Sequence, residues 1–257
     1  MSYIAAVLEE AKAWIDKYPK QFYEEDEEVM YGIRLKEIHT GYVTENSREL
    51  AQHLHLNEHD VELCELIGLL HDVGRFEQWK VYRTFRDNLS EDHADLGVKV
   101  IKKLSFFNRL NNEDKDLLLF AIQRHNKIEI GVVPSDKHLL LAKIIRDADK
   151  LDIYRANQDR ICVSVGDGYT EIPKAGFIAG KQIRGGDLKT RDDLKLIYLL
   201  WVYDIYYEWT LKKLWERAYL RRIIEVLPND KDMEKPLAKL IEYVKKRIAH
   251  GGAITDC

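Results

Sequence analysis

The stretch "LIGLLHDVGRF", residues 66–76, sets the tightest limit on what this chain can fold into. An uncharged run, Leu66 to Leu70, leads straight into His71 and Asp72, two groups that are costly to bury without partners. A helix that carries them inward must meet other polar groups, either as a hydrogen-bonded structural pair or as ligands of a metal ion. Both outcomes need several neighbouring helices, and a helical pattern runs along most of the chain. The spacing predicts helices near 2–17, 26–55, 59–73, 91–104, 113–126, 136–158, 191–219 and 232–248. Ser90, Asn112 and Ser135 are expected caps, each followed by acidic residues that suit a helix N-terminus.

Two stretches break the pattern. Residues 78–90 (QWKVYRTFRDNLS) mix aromatic and basic side chains and read as an ordered loop or short helix. Residues 160–190 hold glycines 166, 168, 176, 180, 185 and 186 with some alternating apolar residues, which reads as a small hairpin or an irregular excursion. The expected fold class is all-α. A helical core over 1–160 is joined by a Gly-rich insertion and C-terminal helices over 161–257, packing on the same core. Tyr198, Trp201, Tyr203, Tyr206, Tyr207, Trp209, Trp215 and Tyr219 are expected to fill that core.

Charge and cysteine content narrow the function. A net charge of −4 supplies no overall basic field, so neither DNA nor RNA is an expected partner. Cys64, Cys162 and Cys257 are scattered and odd in number, so neither a disulfide framework nor a thiolate zinc site is implied. A reducing cytoplasm is the expected compartment. The N-terminal "MSYIAAVLEEAKAW" has no signal-peptide pattern, and no run approaches the roughly 18 apolar residues that a membrane helix needs.

Helical faces then select among the histidines. At about 100° per residue, His71 shares a face with Leu63, Ile67 and Leu70, while Asp72 lies a turn beyond Gly68, where a second helix can approach closely. His93 heads a stripe with Gly97, Val100, Ile101 and Leu104. His125 follows Leu118, Ala121 and Ile122, and His39 lies with Leu35, Tyr42 and Val43. One inward histidine is ordinary. Four on separate helices would each need a buried partner, and a shared metal centre satisfies them together. The segment "KIIRDADKLDIY" (143–154) adds carboxylates: Asp149 on the apolar edge as a ligand, Asp152 as an acceptor that orients a ligand histidine, and Asp147 on the polar side as an ion-pair partner. His53, His55, His59, His138 and His250 fall outside this pattern and read as structural or solvated.

The phrases "IHTGYV", "LIGLLHDVGRF", "SEDHADLG", "AIQRHN" and "RDADKLD", in this order, resemble the HD-domain metal-dependent phosphohydrolase superfamily, over residues 39 to 152. The resemblance is to small bacterial HD hydrolases. It implies an HD-domain helical bundle with His39, His71, Asp72 and Asp149 on one metal ion. His93 and His125 match the further positions of members that hold a second ion, with Asp72 between the two. The implied cofactor is therefore a divalent transition metal, two ions, with iron, manganese and others open. After His125 comes "NKIEIGVVP", which departs from the HD-GYP cyclic-dinucleotide group, so that substrate is not implied.

The chemistry implied is hydrolysis of a small phosphorylated or nucleotide substrate by water made acidic on the metal. Asp72 and Arg75 are the expected catalytic residues. Arg75 and Arg86 are expected on the phosphate, with Arg83, Arg146 and Arg155 as weaker candidates. Two other classes are alternatives: a di-iron oxygenase, which would use the same residue set, and a regulator that binds a nucleotide in an HD-shaped pocket without turning it over, against which the intact set argues.

Overall fold

The computed structural model describes residues 2–162 and 166–250; Cys257 and the tail from 251 lie outside the described residues. No strand occurs among the described residues, and the chain divides after Asp152 into two compact units. The all-α expectation holds.

In the first unit the helices are α1 (Tyr3–Ile15), α2 (Glu27–His53), α3 (Glu58–Leu70), α4 (Gly74–Tyr82), α5 (His93–Ile101), α6 (Ser105–Asn108), α7 (Asn112–His125) and α8 (Asp136–Ala156). Most of α8 lies in the first unit, and its last turn enters the second. The starts are fixed by side-chain caps. Asp26, Asn57, Asp92 and Asn111 each accept from backbone N–H groups of the following turn. Two of these differ from the expected caps by one or two residues. Asn111 stands in place of Asn112, and Asp92 in place of Ser90, whose hydroxyl donates to the Arg86 carbonyl instead.

Packing of α3 on α2 positions everything that follows. A Cβ at Gly68 would lie 2.7 Å from Ser47 Oγ and 3.0 Å from both Thr44 Cα and the Val43 carbonyl, so only glycine allows this approach. Val43, Leu50, Leu63, Ile67 and Leu70 seal the seam, all fully or nearly fully buried. Each such side chain stabilises the fold by about 1.5–3 kcal/mol. Behind it, Leu118, Ala121 and Ile122 of α7 and Ala142, Ile145 and Ala148 of α8 are equally buried. Asn46 of α2 donates to the Ala148 carbonyl at 3.2 Å, tying α2 to α8.

The second unit contains α9 (Gln158–Ile161), α10 (Glu171–Ile178), α11 (Arg191–Leu200), α12 (Glu208–Glu216), α13 (Tyr219–Glu225) and α14 (Lys231–His250). Three expectations are corrected here. The 160–190 segment contains α10 rather than a hairpin. Pro173 and Gly176 obscure it in sequence, but proline is tolerated in a first turn, where no N–H is needed. The single helix expected over 191–219 is three pieces. Trp201–Asp204 tightens to a 3-10 turn, Ile205 and Tyr207 are extended, and Ala218 has φ +58°. The run Val202–Tyr207, rich in β-branched and aromatic residues, is a poor helix former. Third, His250 ends α14 rather than lying in the tail. The aromatic residues divide: Tyr198, Tyr207 and Trp209 are buried, whereas Tyr203 and Trp215 are exposed.

A polar knot closes the loops of this unit. Asp192 accepts from the Gly168 N–H at 2.9 Å and from Lys195 Nζ at 2.7 Å, with both side chains buried. Asp193 accepts from Thr170 N–H and Oγ1 at 2.8 Å each, Lys189 N–H at 3.0 Å and Thr190 N–H at 3.1 Å. Burial alone would raise the Asp193 carboxyl, but these donors outweigh it and hold the group below the usual carboxylate range. A depressed folded-state pKa gives stability above the unfolded value near 4 that is lost as pH falls through the folded one. Asp193→Asn is therefore expected to destabilise the protein by about 1.5–3 kcal/mol near neutral pH. The difference should narrow steadily in urea unfolding at pH values below about 4. A difference that stays constant down to pH 3 would remove the ionic part of this account.

Candidate metal centre

The four inward histidines come from helix ends or from a face that meets them. His71 caps the C-terminus of α3, with Asp72 next in the turn. His93 is the first residue of α5 and His125 the last of α7. His39 lies mid-helix in α2, and Asp149 and Asp152 lie near the end of α8. All four imidazoles are buried, with His71 at 0% exposure. Gly74 permits the closure: a Cβ there would stand 2.1 Å from the His93 carbonyl and 2.5 Å from Gly97 N, so α4 and α5 meet backbone to backbone.

Each ring is pinned through Nδ1. His71 Nδ1 faces the Gly68 carbonyl at 2.7 Å, and His125 Nδ1 faces the Ile122 carbonyl at 2.6 Å. These are carbonyls of last helical turns, which lack intrahelical donors. His39 Nδ1 meets Asp152 Oδ2 at 2.6 Å, and His93 Nδ1 meets Asp87 Oδ1 at 2.8 Å. Carbonyls and carboxylates only accept, so Nδ1 carries the proton in all four rings. That turns four Nε2 atoms towards the interior. They face each other in pairs, His39 to His71 at 3.3 Å and His93 to His125 at 3.0 Å. Across His93 and His125 two lone pairs face each other and repel unless a cation lies between them, whereas across the first pair a proton on His39 Nε2 serves that purpose.

Asp72 stands between the pairs. Its Oδ2 is 3.4 Å from His39 Nε2 and 3.6 Å from His71 Nε2. Its Oδ1 is 3.3 Å from His93 Nε2 and 3.7 Å from His125 Nε2, and is buried with no hydrogen-bond partner among the described residues. Asp149 Oδ1 completes the first pair, 3.1 Å from His39 Nε2 and 3.8 Å from His71 Nε2.

The electrostatics favour positive charge at this point. Burial drives His71 down to about 3 and His93 down to about 4, so both are neutral donors of an electron pair. Burial would raise Asp72, but the Lys36 ammonium and the Arg75 guanidinium hold it well below the carboxylate range. At His39, burial and Lys36 pull the pKa down, yet hydrogen bonds to Asp149, Asp152 and Asp72 outweigh them and raise it to about 10. A metal ion bound there must displace that proton, so binding releases protons. The donor set fits the ion: His39–His71–Asp72 and Asp72–His93–His125 are each able to hold one. A third group, Asp87–Asp92–His93, is already supplied with donors by Asn126 and Lys127.

The family model described as "HD domain" matches residues 37–154. The chain contains an HD domain. The match covers just under half of the chain and supports the HD-domain superfamily for that segment. An uncharacterized protein of Methanocaldococcus jannaschii is 31% identical over 96 residues, which are 37% of this chain and 51% of that protein. The match thus spans about half the length of the curated relative. No solved structure matches. No helix among the described residues is long and apolar enough to cross a membrane.

The remaining sequence candidates divide around the HD site. Arg75 lies beside it, Nε 3.5 Å from Asp72 Oδ1, with Nη1 engaged by Gln78 Oε1, the Phe85 carbonyl and Asp87 Oδ1. Arg86 is exposed on the same loop, while Arg83 pairs with Glu24 at 3.3 Å. Arg146, 2% exposed, donates to the carbonyls of Arg124, Lys127 and Ile128, so it secures the end of α7. Arg155 is half-buried in the second unit. Asp147 is corrected: it is fully buried, not on a polar face, because both sides of α8 are covered at that level. Three residues were not singled out in sequence. Lys36 lies 2.7 Å from Asp72 Oδ2, Asp87 holds His93, and Gln78 ties Asp87 to Ser90. Lys36 had one signal, its place three residues before His39 on the same helical side.

Loss of the group behind a ligand histidine lowers metal affinity by about 10–100-fold. Asp152→Asn keeps the shape against His39 Nδ1 and removes the charge, so Mn²⁺ affinity by calorimetry should fall within that range. The thermal midpoint in chelator should move little. Unchanged Mn²⁺ affinity would separate Asp152 from the site.

Proposed function

We propose that the chain is a metal-dependent phosphohydrolase, a phosphomonoesterase or phosphodiesterase acting on a small phosphorylated or nucleotide substrate. The observation that carries the reading is Asp72: one carboxylate with an oxygen directed at each imidazole pair, one of those oxygens buried and without a hydrogen-bond partner. His39, His71, Asp149 and Asp72 Oδ2 would hold one divalent ion, and His93, His125 and Asp72 Oδ1 a second. When bound, such ions supply Lewis acidity and lower the pKa of water towards 7.

The protein's own groups do the rest. Asp152, Asp87 and the Gly68 and Ile122 carbonyls keep the four rings from turning. The histidines are buried, whereas Asp149 is 16% exposed and Lys36 and Arg75 14% each, so the open edge of the site carries two cations. An anionic substrate entering there is oriented by Arg75, whose Nη2 has no partner among the described residues, with Arg86 further out on the loop. The cationic edge favours phosphoester chemistry over oxygenase chemistry on the same ligand set. The complete ligand set favours an enzyme over a nucleotide-binding regulator.

Asp72→Asn separates a structural pair from a catalytic one, because Asn retains shape and much of the hydrogen bonding. Removing the charge should release metal and reduce turnover by about 100-fold or more, measured on a panel of phosphomonoesters and phosphodiesters, while the far-UV spectrum is kept. Asp95→Asn, at an exposed position of α5, serves as the control and should retain both metal and turnover. Full metal content and unchanged turnover in Asp72→Asn would overturn the reading, as would a metal-loaded wild-type protein inert on the whole panel.

A further inference from the structure

Among the described residues, Lys36 is the one cation in direct hydrogen-bond contact with the Asp72 carboxylate, Nζ to Oδ2 at 2.7 Å. That oxygen is the one turned to His39 and His71. An ammonium and a divalent ion cannot share it without strong repulsion, since like charges this close interact by several kcal/mol even near a protein surface. Lys36 and Arg75 are not equivalent neighbours. Arg75 is fixed by three acceptors on Nη1, whereas Lys36 reaches Asp72 on a flexible four-carbon stem from α2. Both cations lie over the face of Phe85, at 5.2 Å for Lys36 Nζ and 5.8 Å for the Arg75 guanidinium, and Phe85 is stacked on Trp79 at 4.5 Å. The aromatic ring keeps a displaced ammonium at the edge of the site instead of releasing it to water.

We propose that Lys36 is a second anion-binding residue of this site, which exchanges Asp72 Oδ2 for a phosphoryl oxygen of the substrate once a divalent ion is ligated by His39, His71 and Asp72. The identity of the anion rests on the phosphohydrolase reading; the competition between Lys36 and the ion does not. Two carboxylates facing divalent ions and two side-chain cations leave an excess of positive charge, and an anionic substrate is the group that offsets it. Lys36 therefore opposes metal binding and assists substrate binding, a pair of opposite effects that a merely structural lysine would not produce.

The test uses the full chain stripped with chelator, as wild type, Lys36→Met and Lys36→Arg. Mn²⁺ is titrated first, by calorimetry, and inorganic phosphate is then titrated into the Mn²⁺-loaded proteins. Lys36→Met is expected to bind Mn²⁺ about tenfold more tightly and phosphate about tenfold more weakly. Lys36→Arg, which keeps the charge, should return both affinities most of the way to wild type. Mn²⁺ affinity that is unchanged or weaker in Lys36→Met, or phosphate affinity that is unchanged, would overturn the proposal. Phosphoester turnover on the same samples separates the two readings. Both affinity changes without turnover in the wild type would remove the hydrolase and leave Lys36 standing. Turnover with neither affinity altered would do the reverse.

Discussion

The architecture of the first unit depends on one arrangement: four imidazoles held by Nδ1 so that four Nε2 atoms face inward. Uncompensated, that arrangement is repulsive, and the structure retains it only because every ring is fixed from behind by an acceptor that cannot donate. Two of those acceptors are main-chain carbonyls at helix ends, so the directions of His71 and His125 follow from where α3 and α7 stop. The helix termini thus serve two purposes at once. They satisfy exposed carbonyls and they aim Nε2 atoms into the interior.

Close backbone approach is the second requirement. Gly68 lets α3 settle on α2, bringing His71 to His39, and Gly74 lets the turn after Asp72 settle on the start of α5, bringing His93 to Asp72. A side chain at either position would separate elements whose histidines must lie within a few ångströms. The two glycines belong to the site as much as its histidines do, though neither offers a donor atom.

Much of this was legible in the sequence because helical periodicity reports burial. His39, His71, His93 and His125 stood out on apolar stripes, and the Gly68 approach followed from a missing side chain beside them. Asp149 and Asp152 separated by angle on one helix. Asp147 did not, since the polar-looking side of α8 is buried as well. Asp87 and Gln78 were illegible for a related reason: they act from a loop and its flanking helix, where no period ranks one polar residue above another. In the second unit, Pro173 and Gly176 masked a genuine short helix, and the aromatic run after Leu200 concealed a break because its hydrophobicity resembles helix continuation.

The two imidazole pairs are supported unequally. Behind His39 stands Asp152, whose side chain is 0% exposed, whereas behind His93 stands Asp87, 30% exposed on a short turn between α4 and α5. Local opening of that turn frees the His93 ring to rotate, while freeing His39 requires α8 to leave the core. The His93 ring is consequently free to turn on the timescale of a loop, and the His39 ring only on that of the unit's unfolding, so the two halves of one buried cluster differ in how long they hold their shape.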